Sequence, residues 1–271
     1  MDPRPIGVFD SGVGGLTVCK AMKDIMPGEH IIYFGDTGRF PYGTRSIETI
    51  IRYSREITEY LKSRDVKMIV IACNTSSAAA LDVLRRENDI PVLGVIDAGA
   101  RAACKKAEMT SHGDLIGVIA TRATVKSESY VKAVHSISPR IKVLQRHATI
   151  FVSLTEEGWI DEEVTRLAAK KYIQDIFDEG VRVLVLGCTH FPLLKKAIKD
   201  VYPDIELVDS GIEVAWEAQR ILAEKSLENS GGDGGIELYT SDITDSMERL
   251  KELFFGNNGT KISKLIIDSR I

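Results

Sequence analysis

Two cysteines stand in matching surroundings. The run from Met68 to Thr75 (MIVIACNT) and the run from Val183 to His190 (VLVLGCTH) each read as a buried strand, a cysteine, polar residues and then a helix. A thiol just past a strand end and just before a helix N-terminus meets unpaired backbone N–H groups and the positive end of the helix dipole, both of which favour the thiolate. Two such thiols, Cys73 and Cys188, suit a two-base proton transfer. One thiolate removes a proton from one face of a flat carbanion and the other thiol delivers a proton to the opposite face. The alternative for any single cysteine is a small buried hydrophobe, and Cys19 and Cys104, inside helical patterns, are read that way. The four cysteines show no CxxC spacing and no converging ligand set, so no metal is expected.

A second group of polar residues lies at other strand ends. Asp10 opens a glycine-rich turn, DSGVGG, from Asp10 to Gly15. Position 17 is Thr, so this is not the dinucleotide fingerprint, and no Gly-Lys-Ser/Thr follows to make a P-loop. A carboxylate there would repel phosphate. It suits a substrate ammonium or orients a nearby base, with a plain turn or helix cap as the alternative. Ser11 follows it. Asn74, Thr75, Thr189 and His190 follow the two cysteines and can hold a carboxylate with helix-start N–H groups; Thr121 and Thr124, after another strand, can add donors. His190, beside Cys188, is a candidate acid–base partner, whereas His30, His112, His135 and His147 read as surface or packing residues. Pro41-Tyr42-Gly43 reads as a tight turn behind Gly35-Asp36, and Glu156 and Glu157 as solvated charges at a helix start.

Short apolar runs must position these groups. Strands are expected at 6–9, 31–34, 68–72, 92–95, 115–119, 142–145, 183–186, 206–208, 237–239 and 264–267, with amphipathic stretches such as 46–61, 76–86, 161–177 and 193–201 between them. Continuous β-branched runs alternating with helices imply parallel sheets covered on both faces. The cysteine-bearing repeat, and a second echo between residues 9–12 (FDSG) and 208–211 (VDSG), suggest two similar domains facing each other. Residues 226–235 read as a flexible surface loop. The chain has 271 residues, 44% hydrophobic, and a formal net charge of −4, so a sizeable core is available and no basic excess points to nucleic acid. No signal-like or membrane-spanning run is present, which implies a cytoplasmic protein whose cysteines stay reduced.

Asp10–Gly15, Pro41-Tyr42-Gly43, the ACNT run at 72–75 and the GCTHFPL run at 187–193 together resemble the glutamate racemases of the aspartate/glutamate racemase family, in order and over essentially the whole chain. The resemblance implies an α/β fold of two similar domains, each a mostly parallel sheet flanked by helices, with the active site in the cleft between them. The domains would be 1–97 with 210–271, and 98–209. It implies a cofactor-independent racemase for L- and D-glutamate that supplies D-glutamate for peptidoglycan. Cys73 would handle the D-enantiomer with help from Asp10, and Cys188 the L-enantiomer with help from His190. Substrate contacts would fall on Asp10, Ser11, Tyr42, Gly43, Asn74, Thr75, Thr121, Thr189 and His190. The family's CPxFVPLVE stretch reads ATIFVSLTE at 148–156 here, lacking its cysteine and prolines, and its acidic helper falls on Glu156. A homodimer is implied. Some relatives bind DNA gyrase, which nothing in this sequence addresses. Nine residues precede Asp10, so the regulatory extension of other relatives is not expected.

Two other readings remain. The same chemistry on aspartate is disfavoured because aspartate racemases usually carry an acidic residue where His190 stands. A non-catalytic amino-acid binder would have no need of two thiols.

Overall fold

The computed structural model describes residues 1–109, 114–229, 231, 234–256 and 260–267. His112 and part of the 226–235 segment lie outside them. The elements run β1 (Ile6–Asp10), α1 (Leu16–Ile25), β2 (Ile31–Gly35), α2 (Ile47–Ser63), β3 (Met68–Ile71), α3 (Asn74–Glu87), β4 (Val92–Gly94) and α4 (Val95–Glu108). They continue with β5 (Leu115–Ala120), α5 (Arg122–Ser127), α6 (Ser129–Ile137), β6 (Lys142–His147), α7 (Ile150–Glu156), α8 (Glu163–Asp178), β7 (Val183–Gly187) and α9 (Lys195–Val201). The last are β8 (Glu206–Asp209), α10 (Ser210–Glu224), β9 (Ile236–Thr240), α11 (Asp245–Phe255) and β10 (Ile262–Lys264). Short 3₁₀ turns occupy Thr37–Arg39, Tyr42–Thr44 and Phe191–Leu194. Among the described residues no helix is long and apolar enough to cross a membrane.

The chain forms two units, Met1–Val95 with Val214–Ile271, and Ile96–Glu213. The first carries a six-stranded parallel sheet in the order β10-β9-β2-β1-β3-β4. The second carries a four-stranded parallel sheet in the order β6-β5-β7-β8. The strings β2-β1-β3-β4 and β6-β5-β7-β8 are the same permutation, so the repeat legible around the cysteines is a repeat of topology. In each unit the chain steps outward once and then crosses back, so the strand order reverses between β1 and β3 and between β5 and β7. Open parallel sheets bind ligands at such reversals, outside the carboxyl ends of the strands. Cys73 follows β3 and Cys188 follows β7.

The second echo does not correspond. Asp10 ends β1, inside its sheet, whereas Asp209 ends β8, an edge strand. By topology the partner of Asp10 is the end of β5, where Ala120 and Thr121 stand. The likeness arises because both aspartates open a turn: Asp209 Oδ1 accepts from the N–H groups of Gly211 (2.9 Å) and Ile212 (3.4 Å) at the start of α10.

Burial explains the strands. β1, β2 and β3 are buried at every residue, as their unbroken apolar runs require. Phe9, Ile32, Phe34, Ile69 and Ile71 form one side of a core that takes Ile57 and Leu61 from α2 and Leu81 and Leu84 from α3. Each such side chain contributes about 1.5–3 kcal/mol on leaving water. Helix α2 starts where the Ser46 hydroxyl accepts from the Thr49 N–H, and buries Ile50, Ser54, Ile57 and Leu61, one helical face. Strand β6 is an edge and stays partly exposed.

One buried cation ties three distant segments together. Lys67 is fully buried; its Nζ lies 2.6 Å from Glu29 Oε2 and donates to the carbonyls of Asp2 (2.8 Å) and Leu227 (2.7 Å). Removing one member strands a buried charge. Lys67→Met should therefore lower unfolding stability by about 3–5 kcal/mol, and adding Glu29→Leu should recover much of the loss. Urea denaturation checks this; a single variant as stable as the parent contradicts it.

Candidate active site

The first cysteine's surroundings are assembled at the carboxyl ends of β1 and β3. Asp10 is fully buried, and its Oδ2 accepts from the N–H groups of Gly12 and Gly15, each at 3.1 Å. A Cβ at Gly15 would lie 2.5 Å from Asp10 Cβ and 2.9 Å from Tyr33 Cε2, so this glycine is demanded by the carboxylate and the ring below it. That close approach serves Asp10 and Tyr33. Tyr33 donates to the Gly12 carbonyl at 2.6 Å and backs the turn.

Cys73 is the N-cap of α3: the Ser76 N–H points at its sulfur at 3.4 Å. The thiol lies 3.4 Å from Ser11 Oγ. The helix start was expected to lower the thiol's pKa. It does pull that way, with Ser11, but burial outweighs it, the Asp10 charge adds to burial, and the thiol is pushed up to about 11. At rest Cys73 carries its proton. Asn74 and Thr75, the first residues of α3, are buried beside it. Cys19 and Cys104 are buried in α1 and α4, as expected of packing residues.

Tyr42 and Gly43 lie in the 3₁₀ turn Tyr42–Thr44. Tyr42 is buried and its hydroxyl donates to Asp36 Oδ2, so the phenol is already engaged. Asp36 stands one residue past the end of β2, whereas Asp10 is the last residue of β1, and the sequence reading assigned no role to it or to Arg39 and Ser241, which also bind it. A buried acid one residue past a buried strand was the signal that could have found it.

The second cysteine's surroundings are built differently. The sequence set Cys188 just before a helix, with the helical stretch at 193–201. The chain first makes a turn and the 3₁₀ stretch Phe191–Leu194, and α9 begins at Lys195. Pro192 sits at the start of that stretch. A histidine stands beside this cysteine. Cys188 Sγ lies 3.8 Å from His190 Nδ1, and His190 Nε2 lies 3.2 Å from Glu156 Oε1. An ionised carboxylate only accepts, so Glu156 holds the proton on Nε2 and leaves the Nδ1 lone pair toward the thiol. Both Cys188 and His190 are buried. Glu156 ends α7 where a helix start had been expected; Gly158, at φ +80°, lets the chain turn away just beyond it. A carboxylate at the carbonyl end of a helix is unfavourable alone, and the His190 imidazole is the group it meets there.

Thr189 is buried next to Cys188. Thr121 caps α5, accepting from the Thr124 N–H at 3.4 Å, and the two hydroxyls pair at 3.1 Å; Thr124 is fully buried. His30 pairs with Glu237, His135 with the Ile141 carbonyl, and His147 is exposed at the end of β6. Among the described residues no group of three or more His, Cys, Asp or Glu could hold a metal ion.

The Asp10 charge disfavours the Cys73 thiolate, so removing it must lower the thiol's pKa. Asp10→Asn should move the midpoint of iodoacetamide alkylation at Cys73 down from about 11, toward the ~8.5 of free cysteine. Peptide mapping across a pH series reads this, and a midpoint that stays or rises contradicts it.

Residues 6–218 match the model of the Asp/Glu/Hydantoin racemase family. A glutamate racemase of Geobacter metallireducens is 46% identical over 93% of both chains. A crystal structure of glutamate racemase from Francisella tularensis, in complex with D-glutamate, has a TM-score of 0.90 at 36% identity and covers 99% of this chain and 100% of that one. An aspartate racemase of Picrophilus torridus shares the fold at 18% identity and a TM-score of 0.57, covering 81% of this chain and 94% of that one. With two cysteines at equivalent sheet reversals and the family match running through both, the chain belongs to the Asp/Glu/Hydantoin racemase family.

Proposed function

We propose that this amino-acid racemase interconverts L- and D-glutamate, with Cys73 and Cys188 as the two proton-transfer groups on opposite faces of the α-carbon. The observation that carries the reading is the duplicated topology: one cysteine at the strand-order reversal of each unit, with Asp10 near the first and His190 near the second. The substrate would bind with one cysteine on either side. Glutamate is favoured because the similar enzymes of higher identity are glutamate racemases and one was solved with D-glutamate.

From D-glutamate, Cys73 takes the α-proton as thiolate while the Cys188 thiol delivers its own proton to the other face; from L-glutamate the roles exchange. Cys73 rests protonated, so it becomes a base by passing its proton to Asp10, which also suits the substrate ammonium. Cys188 passes its proton to His190 Nδ1, and Glu156 stabilises the imidazolium so formed. Asn74, Thr75, Thr121, Thr124 and Thr189, with Ser11, Tyr42 and Gly43, form the cradle for the two carboxylates. The D-glutamate would serve peptidoglycan synthesis.

Enantiomers have equal free energy in water, so kcat/KM must be the same in both directions for every variant; direction-specific damage can appear only in kcat and KM separately. The purified protein should racemise glutamate with no cofactor added, and aspartate about 10–100-fold less efficiently, the range that one methylene allows. Cys73→Ala and Cys188→Ala should each lower kcat/KM by about 10²–10⁴-fold. Polarimetry on both amino acids reads this. Parental rates in either variant, or a need for added pyridoxal phosphate, would overturn the reading.

A further inference from the structure

The mechanism leaves unused a buried acid close to Asp10. Asp36 is fully buried one residue past β2. Its main-chain N–H donates to the Asp10 carbonyl at 3.0 Å. Its side chain collects three donors from three separate places. Ser241 Oγ reaches Oδ1 at 2.9 Å, Arg39 Nε reaches Oδ2 at 2.6 Å, and the Tyr42 hydroxyl also reaches Oδ2. Arg39 is in turn held by Glu56 and lies over the Tyr53 ring at 4.0 Å, and that ring lies 5.5 Å from Tyr42. Ser241 Oγ also accepts from the Gly38 N–H at 2.8 Å. Residues 38–42 are thus pinned to one carboxylate.

A buried carboxylate that only accepts holds its donors by charge-assisted bonds, roughly twice as strong as neutral ones. Burial, with Asp36, drives the Tyr42 phenol's ionisation well above its ordinary range, so the phenol keeps its proton and stays a donor to Asp36. The Tyr42–Thr44 turn packs against α3, the helix that Cys73 caps, which sets this segment beside the first thiol. With its proton given to Asp36, the Tyr42 hydroxyl cannot donate to substrate, and its ring edge, main chain and remaining lone pair are fixed by where Asp36 holds the phenol.

We infer that Asp36 is a positioning residue: through Tyr42 it sets the Tyr42–Gly43 segment against the substrate beside Cys73, and so governs substrate affinity more than the proton transfer. The inference rests on the proposed contact of Tyr42 and Gly43 with glutamate. It separates two roles that the shared burial conceals, since Asp10 acts at the thiol and Asp36 acts at the loop.

The test is steady-state racemisation by Asp36→Asn, Tyr42→Phe and the double variant, in both directions. Asp36→Asn and Tyr42→Phe should each raise KM about tenfold with kcat falling less than about threefold, the pattern of lost ground-state binding. The double variant should be little worse than either, because both break one bond. Ser241→Ala, which leaves Arg39 and Tyr42 on Oδ2, should keep a near-parental KM. A purely structural role would lower thermal stability with KM unmoved. Tyr42→Phe keeps the ring and its packing, so it carries the test if Asp36→Asn fails to fold. Parental KM in Tyr42→Phe, additive losses, or a fall in kcat alone would overturn the inference. If the unaltered enzyme fails to racemise glutamate, the functional reading falls first and this inference with it.

Discussion

A thiol that exchanges protons with carbon works best away from water, and removing it from water makes its charged form expensive. At Cys73 that cost exceeds what the helix start and Ser11 return, so the sulfur stays protonated until something nearby accepts its proton. The rest of the first cysteine's surroundings follows. Asp10 has to lie close, has to be buried, and has to be held by the Gly12 and Gly15 N–H groups so that its charge survives there. Those bonds require a turn without a side chain at Gly15, and Tyr33 closes that turn from beneath. The DSGVGG run from Asp10 to Gly15 is thus fixed by the buried carboxylate it holds and the ring packed against it.

The two units reach the same placement with different chemistry. Both use the order in which a central strand is flanked first on one side and then on the other, leaving an open reversal at the strand ends. At β3 the chain runs directly into a long helix, and the cysteine caps it. At β7 the chain turns into the 3₁₀ stretch Phe191–Leu194 before α9, and a histidine–carboxylate pair stands beside the cysteine. Asymmetry of this kind suits a reaction in which each thiol meets a different enantiomer.

The strands were legible because parallel strands covered on both faces must be apolar throughout, and runs such as 68–71 and 183–186 have no other use. The place of the two cysteines, just past the ends of β3 and β7, was legible because each closes such a run. What misled was local likeness. FDSG at 9–12 and VDSG at 208–211 look alike because an acid followed by small residues makes the same turn anywhere, whereas topology is set by pairings far away in sequence. The end of α7 was lost for the related reason that Gly158 acts on a helix end, which periodicity reads poorly. The Asp36 cluster was missed because one of its donors, Ser241, comes from 205 residues away, and the direction of the Cys73 shift because burial against Asp10 is a property of the folded chain.

The central claim is that two separate groups handle the proton, one on each face. Hydrogen transfer in heavy water tests it most directly. With L-glutamate in deuterium oxide, stopped at low conversion, the D-glutamate formed should carry deuterium at Cα while the remaining L-glutamate keeps its protium. Product that retains the original hydrogen, or L-glutamate labelled as fast as D-glutamate appears, would mean that one group serves both faces, and the account would fail.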